Sequence, residues 1–215
     1  MPRKRIPATE RKALILEAAR KVFAESGYEG AKTQRIAAVA KISEALVYRH
    51  YPSKEALYRA VLRQLIREQD ASYKEMFLPE ATTAGLVGSI RNYVELSLSD
   101  TGGRMHEGLR MLLASLAGEG GYASLVYRRA QRKMQHQIEA AINAARAAGD
   151  LHERGISIRN LALFQEHIGT MLTMLSALPN KDELYDRGTL LQDAILFCCR
   201  GVGLTEDAIS RHLGH

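Results

Sequence analysis

Lys54 ends the stretch AKISEALVYRHYPSK, residues 40–54, at a position that helix electrostatics disfavours. Pro52 stops one helix and Ser53 can cap the next, so the lysine falls in a first turn, where the macrodipole is positive and attracts anions. An ammonium beside free helix amides makes sense as one site for a negative group, above all a phosphate. Thr33 offers a second site of this kind, at the start of another short helix with Lys32 and Arg35 close by. Between the two lies a segment whose outward side chains suit DNA. Glu44 can accept from a cytosine amino group, Arg49 can reach guanine or phosphate, and Ala45 and Leu46 can meet a thymine methyl. The Tyr48 hydroxyl can donate to a phosphate oxygen, which sets register without reading sequence.

This is chemistry of binding, with no bond made or broken. The chain has no HExxH, GxSxG, P-loop or CxxC pattern, so no enzyme, cofactor or metal site is expected. The two cysteines, Cys198 and Cys199, are adjacent within an apolar run and read as inert core thiols of a reducing compartment. His212 and His215 lie on a terminus expected to fray.

The elements that must hold these residues are helical. Ile15, Ala18, Ala19, Val22 and Phe23 follow the spacing of an amphipathic helix, with Thr9 as its expected cap and Gly27 as its left-handed stop. Thr33 is expected to cap a second helix with Ile36, Ala37 and Ala40 inward, and Ser43 a third that Pro52 ends. Val47 and Tyr51 share a face with Ile42 that must close over helix one. Three helices in about fifty residues, the last two joined by a tight turn, form a helix-turn-helix. Further helices are expected near 54–76, 84–99, 104–117, 121–148, 157–178, 182–200 and 205–213, separated by breaks rich in Gly, Pro, Asn or Asp. The expected fold is all-α. A three-helix head at 1–54 continues into a connecting helix at 54–76, and a larger helical body fills 55–215.

Charge supports the assignment. Residues 1–54 carry 12 Lys and Arg against 5 Asp and Glu, whereas 55–215 carry 18 against 19. Concentrated positive charge in the first quarter points to a polyanion partner contacted there. Arg3, Lys4 and Arg5 have no apolar companion to fold them and suit an arm along the minor groove. With 46% hydrophobic and 25% charged residues, the composition is globular. No apolar run is long enough to span a membrane, and the basic start lacks the apolar segment of a signal peptide, so no membrane association and a cytoplasmic location are expected.

Residues 15–62, ILEAARKVFAESGYEGAKTQRIAAVAKISEALVYRHYPSKEALYRAVL, closely resemble the DNA-binding head of the tetracycline-repressor (TetR) family of bacterial transcription regulators. Tyr48, Tyr51, Ser53–Lys54–Glu55 and Leu57 are the landmarks. The resemblance implies a homodimer that represses transcription from an inverted-repeat operator on double-stranded DNA, at the nucleoid, and leaves it when a small-molecule effector enters the body. It assigns Thr33, Tyr48 and Lys54 to phosphates, and Gln34, Arg35, Glu44, Ala45, Leu46, Arg49 and His50 to the groove or its edges. Lys41 stands where many members have glycine, and Glu44–Ala45 departs from the usual pair, leaving the operator sequence open. The competing functions are a nonspecific nucleoid-associated binder and a transcriptional activator.

In the body, the segments near 157–178 and 190–198 are apolar on more than one face, as expected of helices buried on one side by core and on the other by a second subunit. Phe164, Gly169, Leu172, Leu191, Ala194 and Cys198 are the expected interface residues, with Gly169 and Ala194 permitting close approach. Met105, Leu109, Leu112, Tyr127, Met134, Gln165, His167 and Met171 are candidates to line an effector pocket, since methionines adapt to varied apolar ligands. Gln165, Glu166 and His167 alternatively satisfy one another or the backbone within the core.

Overall fold

The computed structural model describes residues 7–76, 80–99, 103–153 and 155–214; the side chains of 69, 71–76, 103–106 and 133–137 are not described. Arg3, Lys4 and Arg5, and the side chains of Met105 and Met134, therefore lie outside the described residues. Among the described residues the elements are eleven α-helices, with a single isolated bridge between Leu151 and Leu204. No helix described is long and apolar enough to cross a membrane.

The chain forms two compact units. The first comprises residues 1–70 and 103–124. Its helices are α1 (Ala8–Gly30), α2 (Thr33–Val39), α3 (Glu44–His50), the first part of α4 (Lys54–Met76), and α6 (Gly103–Ala117). Ile15, Ala19, Val22 and Phe23 of α1 are buried with Ile36 of α2, Val47 of α3, Leu57, Val61 and Leu65 of α4, and Met111 of α6. The unit thus runs past residue 54, because the apolar face of α1 is covered partly by α6.

Local chemistry sets most helix ends. Ser43 Oγ accepts from Leu46 N at 3.3 Å and Ser53 Oγ from Ala56 N at 3.0 Å, each capping the helix that follows. Two expected caps are corrected. The first helix begins at Ala8 after Pro7, with Thr9 inside it, because proline at φ −56° is already set for a helix start. Lys32 occupies the cap of α2, and Thr33 is its first helical residue. Gly27 takes φ 66° and kinks α1 as expected of a left-handed stop, but one more turn continues to Gly30. The turn between α2 and α3 places Lys41 at φ 56°, a left-handed conformation that glycine adopts without penalty and lysine does not.

The second unit comprises residues 71–102 and 125–215. Its central element is α5 (Thr83–Leu98), against which α8 (Ile158–Ser176), α10 (Arg187–Val202) and α11 (Glu206–Leu213) pack. Leu86, Ile90 and Val94 of α5 share a core with Leu172 of α8, Ile195 and Cys199 of α10, and Ile138 and Ile142 of α7 (Gly121–Ala147). The single helix expected over 182–200 is two: α9 (Lys181–Leu184) ends at extended Tyr185, and α10 restarts on Asp186, whose Oδ1 accepts from Thr189 N at 2.7 Å. Buried Asp150 joins three segments: Thr83 Oγ1 donates to it at 2.6 Å, Arg211 forms an ion pair with it, and its carbonyl accepts from Thr205 N. The Thr83 and Arg211 bonds hold its carboxyl below the usual aspartate range.

Candidate nucleic-acid interface

The residues singled out at the head gather around α2 and α3. Tyr48 lies midway along α3, exposed, and its hydroxyl donates to Thr33 Oγ1 at 3.3 Å. That bond ties the outer face of α3 to the first turn of α2, so the two hydroxyls expected to meet phosphates are neighbours, with Thr33 itself buried. Ala45, Tyr48 and Arg49 are exposed, and Glu44, Leu46 and His50 are half-buried, while Val47 closes the inner face. Lys32 and Gln34 are exposed at the start of α2. Arg35 is exposed too, but its guanidinium turns to α1, pairing with Glu25 and donating to Ser26 Oγ at 2.9 Å.

Lys54 has a more particular environment. Its Nζ donates to the carbonyl of Glu29 at 3.1 Å and stands 4.7 Å from the centre of the Tyr28 ring. The carbonyls at the end of α1 carry the negative end of that helix's dipole, and the ring face is electron-rich. The lysine at a positive helix start therefore reaches a negative helix end. An ammonium has three donors, and the Glu29 carbonyl takes one of them. Tyr28 in turn packs at a tilt against Tyr58, 4.8 Å between centroids, and the Tyr58 hydroxyl donates to Glu119 Oε1 at 3.0 Å. Burial and the Glu119 bond raise the Tyr58 pKa. Sequence reasoning missed Tyr28: nothing in its spacing indicated that an aromatic ring just beyond the kink would brace the lysine.

A buried ion cluster lies behind these helices. Arg20 of α1 is 3% exposed and meets Glu68 of α4 at 2.6 Å and Glu107 of α6 at 2.8 Å. Charges this deep are tolerated only when paired.

In the second unit, the residues expected at an interface divide. Phe164 is 53% exposed, Met171 and Met174 follow it along one side of α8, and exposed Leu178 lies just past the end of that helix. Phe197 of α10 is 64% exposed, while Leu191 and Ala194 are half-buried. Gly169, Leu172 and Cys198 are corrected: all three are buried inside the unit, so none can face another subunit. The reason is helical phase. Gly169 and Leu172 lie on the side of α8 that meets α5, where a Cβ on Gly169 would overlap the Tyr93 hydroxyl. That hydroxyl donates to the Gln165 carbonyl at 2.9 Å. Burial pushes the Cys198 thiol up to about 12 and that of Cys199 to about 11, as expected of inert thiols.

Of the residues expected to line a pocket, Gln165 borders a cavity of about 10 Å³ with Leu86, Ile90, Ile142, Leu161 and Val202. That is room for about one water. Leu112 is buried and Leu109 half-buried in the first unit. Tyr127 and His167 meet at a tilt in the second, 5.3 Å between centroids. Met171 is corrected: at 50% exposure it belongs to the outward stripe of α8 and not to an enclosed lining. Burial raises the Glu166 carboxyl pKa, against the opposing charge of Arg129.

Comparison with known proteins finds likenesses over part of the chain. Residues 15–61 match the model described as "Bacterial regulatory proteins, tetR family". The HTH-type transcriptional regulator RutR of Escherichia coli K12 is 36% identical over 99 residues, covering 45% of this chain and 43% of RutR. The HTH-type transcriptional activator FasR of Mycolicibacterium smegmatis is 42% identical over 60 residues, 28% of this chain and 27% of FasR. The matches thus span less than half the length of these relatives. A solved bacterial regulatory protein in the tetR family from Rhodococcus RHA1 superposes with a TM-score of 0.67, covering 92% of this chain and 99% of that one, at 23% identity. At that identity the likeness speaks for the fold.

Proposed function

We propose that this chain, whose residues 15–61 carry the DNA-binding head of the tetR family of bacterial regulatory proteins, is a sequence-specific transcriptional regulator that binds an inverted-repeat operator as a homodimer in the cytoplasm. The observation that carries the reading is the outer face of α3, with Ala45, Tyr48 and Arg49 exposed and Tyr48 bonded to the first residue of α2. A helix with such a face enters a major groove while the start of its neighbour meets the backbone. Tyr48 and Lys54 fix the register on phosphates; Glu44 and Arg49 read bases. Two chains are supported by the exposed apolar stripe of α8, Phe164, Met171 and Met174, with Leu178 past its end and Phe197 of α10, a surface that a monomer would leave in water. The half-sites then lie about one helical turn, 34–36 Å, or a multiple of it apart.

Repression, relieved by a small apolar effector in the body, is the mode of action proposed. The small aliphatic cavity beside Gln165 supports this as a nucleus that an effector would widen, with the Gln165 amide to orient its polar end. FasR is named an activator, so likeness across the head does not set the sign of regulation.

The deciding experiment is selection of duplexes from a random pool by the purified protein, followed by transcription from a promoter carrying the selected site. Recovery of an inverted repeat that silences transcription is expected. Recovery of no preferred sequence would reduce the protein to a nonspecific binder, and stimulation of transcription would overturn repression alone.

A further inference from the structure

Lys54 and Tyr58 stand four residues apart in α4, so their side chains lie on one face of that helix. Both meet the ring of Tyr28 in α1. Its centre is 4.7 Å from Lys54 Nζ and 4.8 Å from the centre of the Tyr58 ring. Phe23, also of α1, meets Tyr58 edge-on at 4.8 Å. Tyr58 is buried, and a buried phenol needs a partner for its hydroxyl. That partner is Glu119, in the turn between α6 and α7.

Glu119 does more than cap the helix that follows it. Its Oε2 accepts from the amide of Gly121, the first residue of α7, and its carboxylate also accepts from the Ser115 hydroxyl of α6. Its Oε1 accepts from Tyr58 at 3.0 Å. Desolvation acts to raise its pKa, but the bonds from Ser115, Gly121 and Tyr58 outweigh it and hold the carboxyl below its ordinary 4.5. One carboxylate of an exposed residue thus joins α4, α6 and α7 within the first unit. It also fixes the far end of the ring that packs against Tyr28.

We propose that Glu119 is a positioning residue for DNA binding, acting through Tyr58 and Tyr28 to hold the Lys54 ammonium ready for a phosphate. This role rests on the reading of Lys54 as a phosphate contact, and adds to it a residue outside the helix-turn-helix. A free lysine side chain loses rotamer freedom when a phosphate fixes it. One already placed by a ring face and the Glu29 carbonyl loses less, so the complex is tighter. Removing the carboxylate releases Tyr58, then Tyr28, and returns that freedom to Lys54. The expected sign is opposite to that of charge alone, since deleting a negative group by itself favours a polyanion.

Full-length protein is titrated with a random-sequence duplex over a range of salt, because phosphate contacts do not depend on sequence. Glu119→Ala should bind about fivefold more weakly than wild type, the ordering cost of one long side chain. Its salt slope should stay unchanged, because the lysine still reaches its phosphate. Tyr58→Phe, which keeps the ring and every charge, should do the same. Glu119→Gln keeps an acceptor for the hydroxyl and should retain wild-type affinity. In a Lys54→Ala background Glu119→Ala should weaken binding no further, whereas a general loss of structure would weaken it in both backgrounds. Thermal melts establish that each variant is folded, and if Glu119→Ala is not, Tyr58→Phe in the two backgrounds decides. A loss that persists without Lys54, or variants that bind as wild type does, overturns the proposal and leaves DNA binding intact. A Lys54→Ala protein that binds as wild type does removes the lysine from the DNA, and the proposal with it. Failure of wild type to bind any duplex overturns the regulator reading as a whole.

Discussion

The two units solve opposite problems with the same helices. In the first, the polar side chains of the candidate interface are held in place: Tyr48 on Thr33, Lys54 on Glu29 and Tyr28, Arg35 on Glu25 and Ser26. In the second, the conspicuous exposed side chains are Phe164, Met171, Met174 and Phe197, which have apolar surface to cover and no polar bond to make. A unit that positions hydrogen-bonding atoms depends on which residue stands at each position. A unit that presents apolar area depends only on helical phase and volume. The family model matches residues 15–61, and the match to RutR spans 99 residues, less than half of the chain.

The largest expected effect tests the buried charge of the first unit. Arg20→Ala leaves Glu68 and Glu107 without their cation and should cost about 3 kcal/mol of stability, near the low end for a broken buried pair because Glu68 is 34% exposed. Urea denaturation measures it, and a loss below about 1 kcal/mol would place the cluster with ordinary surface pairs. Next, Phe197→Asp should weaken self-association about 100-fold, or about 2.7 kcal/mol, while leaving the melting of the monomer nearly unchanged. Sedimentation across a concentration series reads the association and a thermal melt the stability, and unaltered association would place the partner surface elsewhere. Gly169→Ala should destabilise the second unit by about 2 kcal/mol, since the added methyl displaces Tyr93 from the Gln165 carbonyl. A thermal shift with no loss would mean that the ring has room to retreat.

Smaller effects sharpen the contrast at the head. Lys54→Ala should weaken binding to all duplexes about tenfold and lower the salt slope by about one, whereas Arg49→Ala should change which bases are preferred. A Lys54→Ala protein with altered base preference and an unchanged slope would reverse the two roles. Smallest of all, Lys41→Gly should stabilise the turn between α2 and α3 by about 0.5 kcal/mol, the left-handed penalty relieved less the entropy that glycine adds to the unfolded chain. Chemical denaturation decides the sign.

Much of the head was legible because its signals are local. Ser43 and Ser53 cap helices through their own hydroxyls, and Pro52 separates them, so α3 and the start of α4 follow from three residues. Thr9 and Thr33 misled because hydroxyl residues are common inside a first turn as well as before it, and proline or an extended lysine had already begun the helix. In the body, periodicity identified α8 as apolar on two sides, but not which side met α5. The hydroxyl of Tyr93, far away in sequence, decides that phase, and with it the burial of Gly169 and Leu172. Lys54 at a helix start likewise found its first partner in the carbonyl of Glu29, a backbone atom that carries no sequence signal.

The first unit is assembled from two stretches of chain, and α6 begins 33 residues after the first stretch ends. A ribosome making this protein releases α1 to α4 long before Glu107, one of the two carboxylates of Arg20, and before the helix that covers α1. Until residue 124 emerges, the nascent head has a cation lacking part of its counter-charge and an apolar flank open to water. Competence for DNA therefore arrives at about the midpoint of synthesis, and a truncated message ending after the helix-turn-helix would yield a substrate for proteolysis rather than a stray DNA binder.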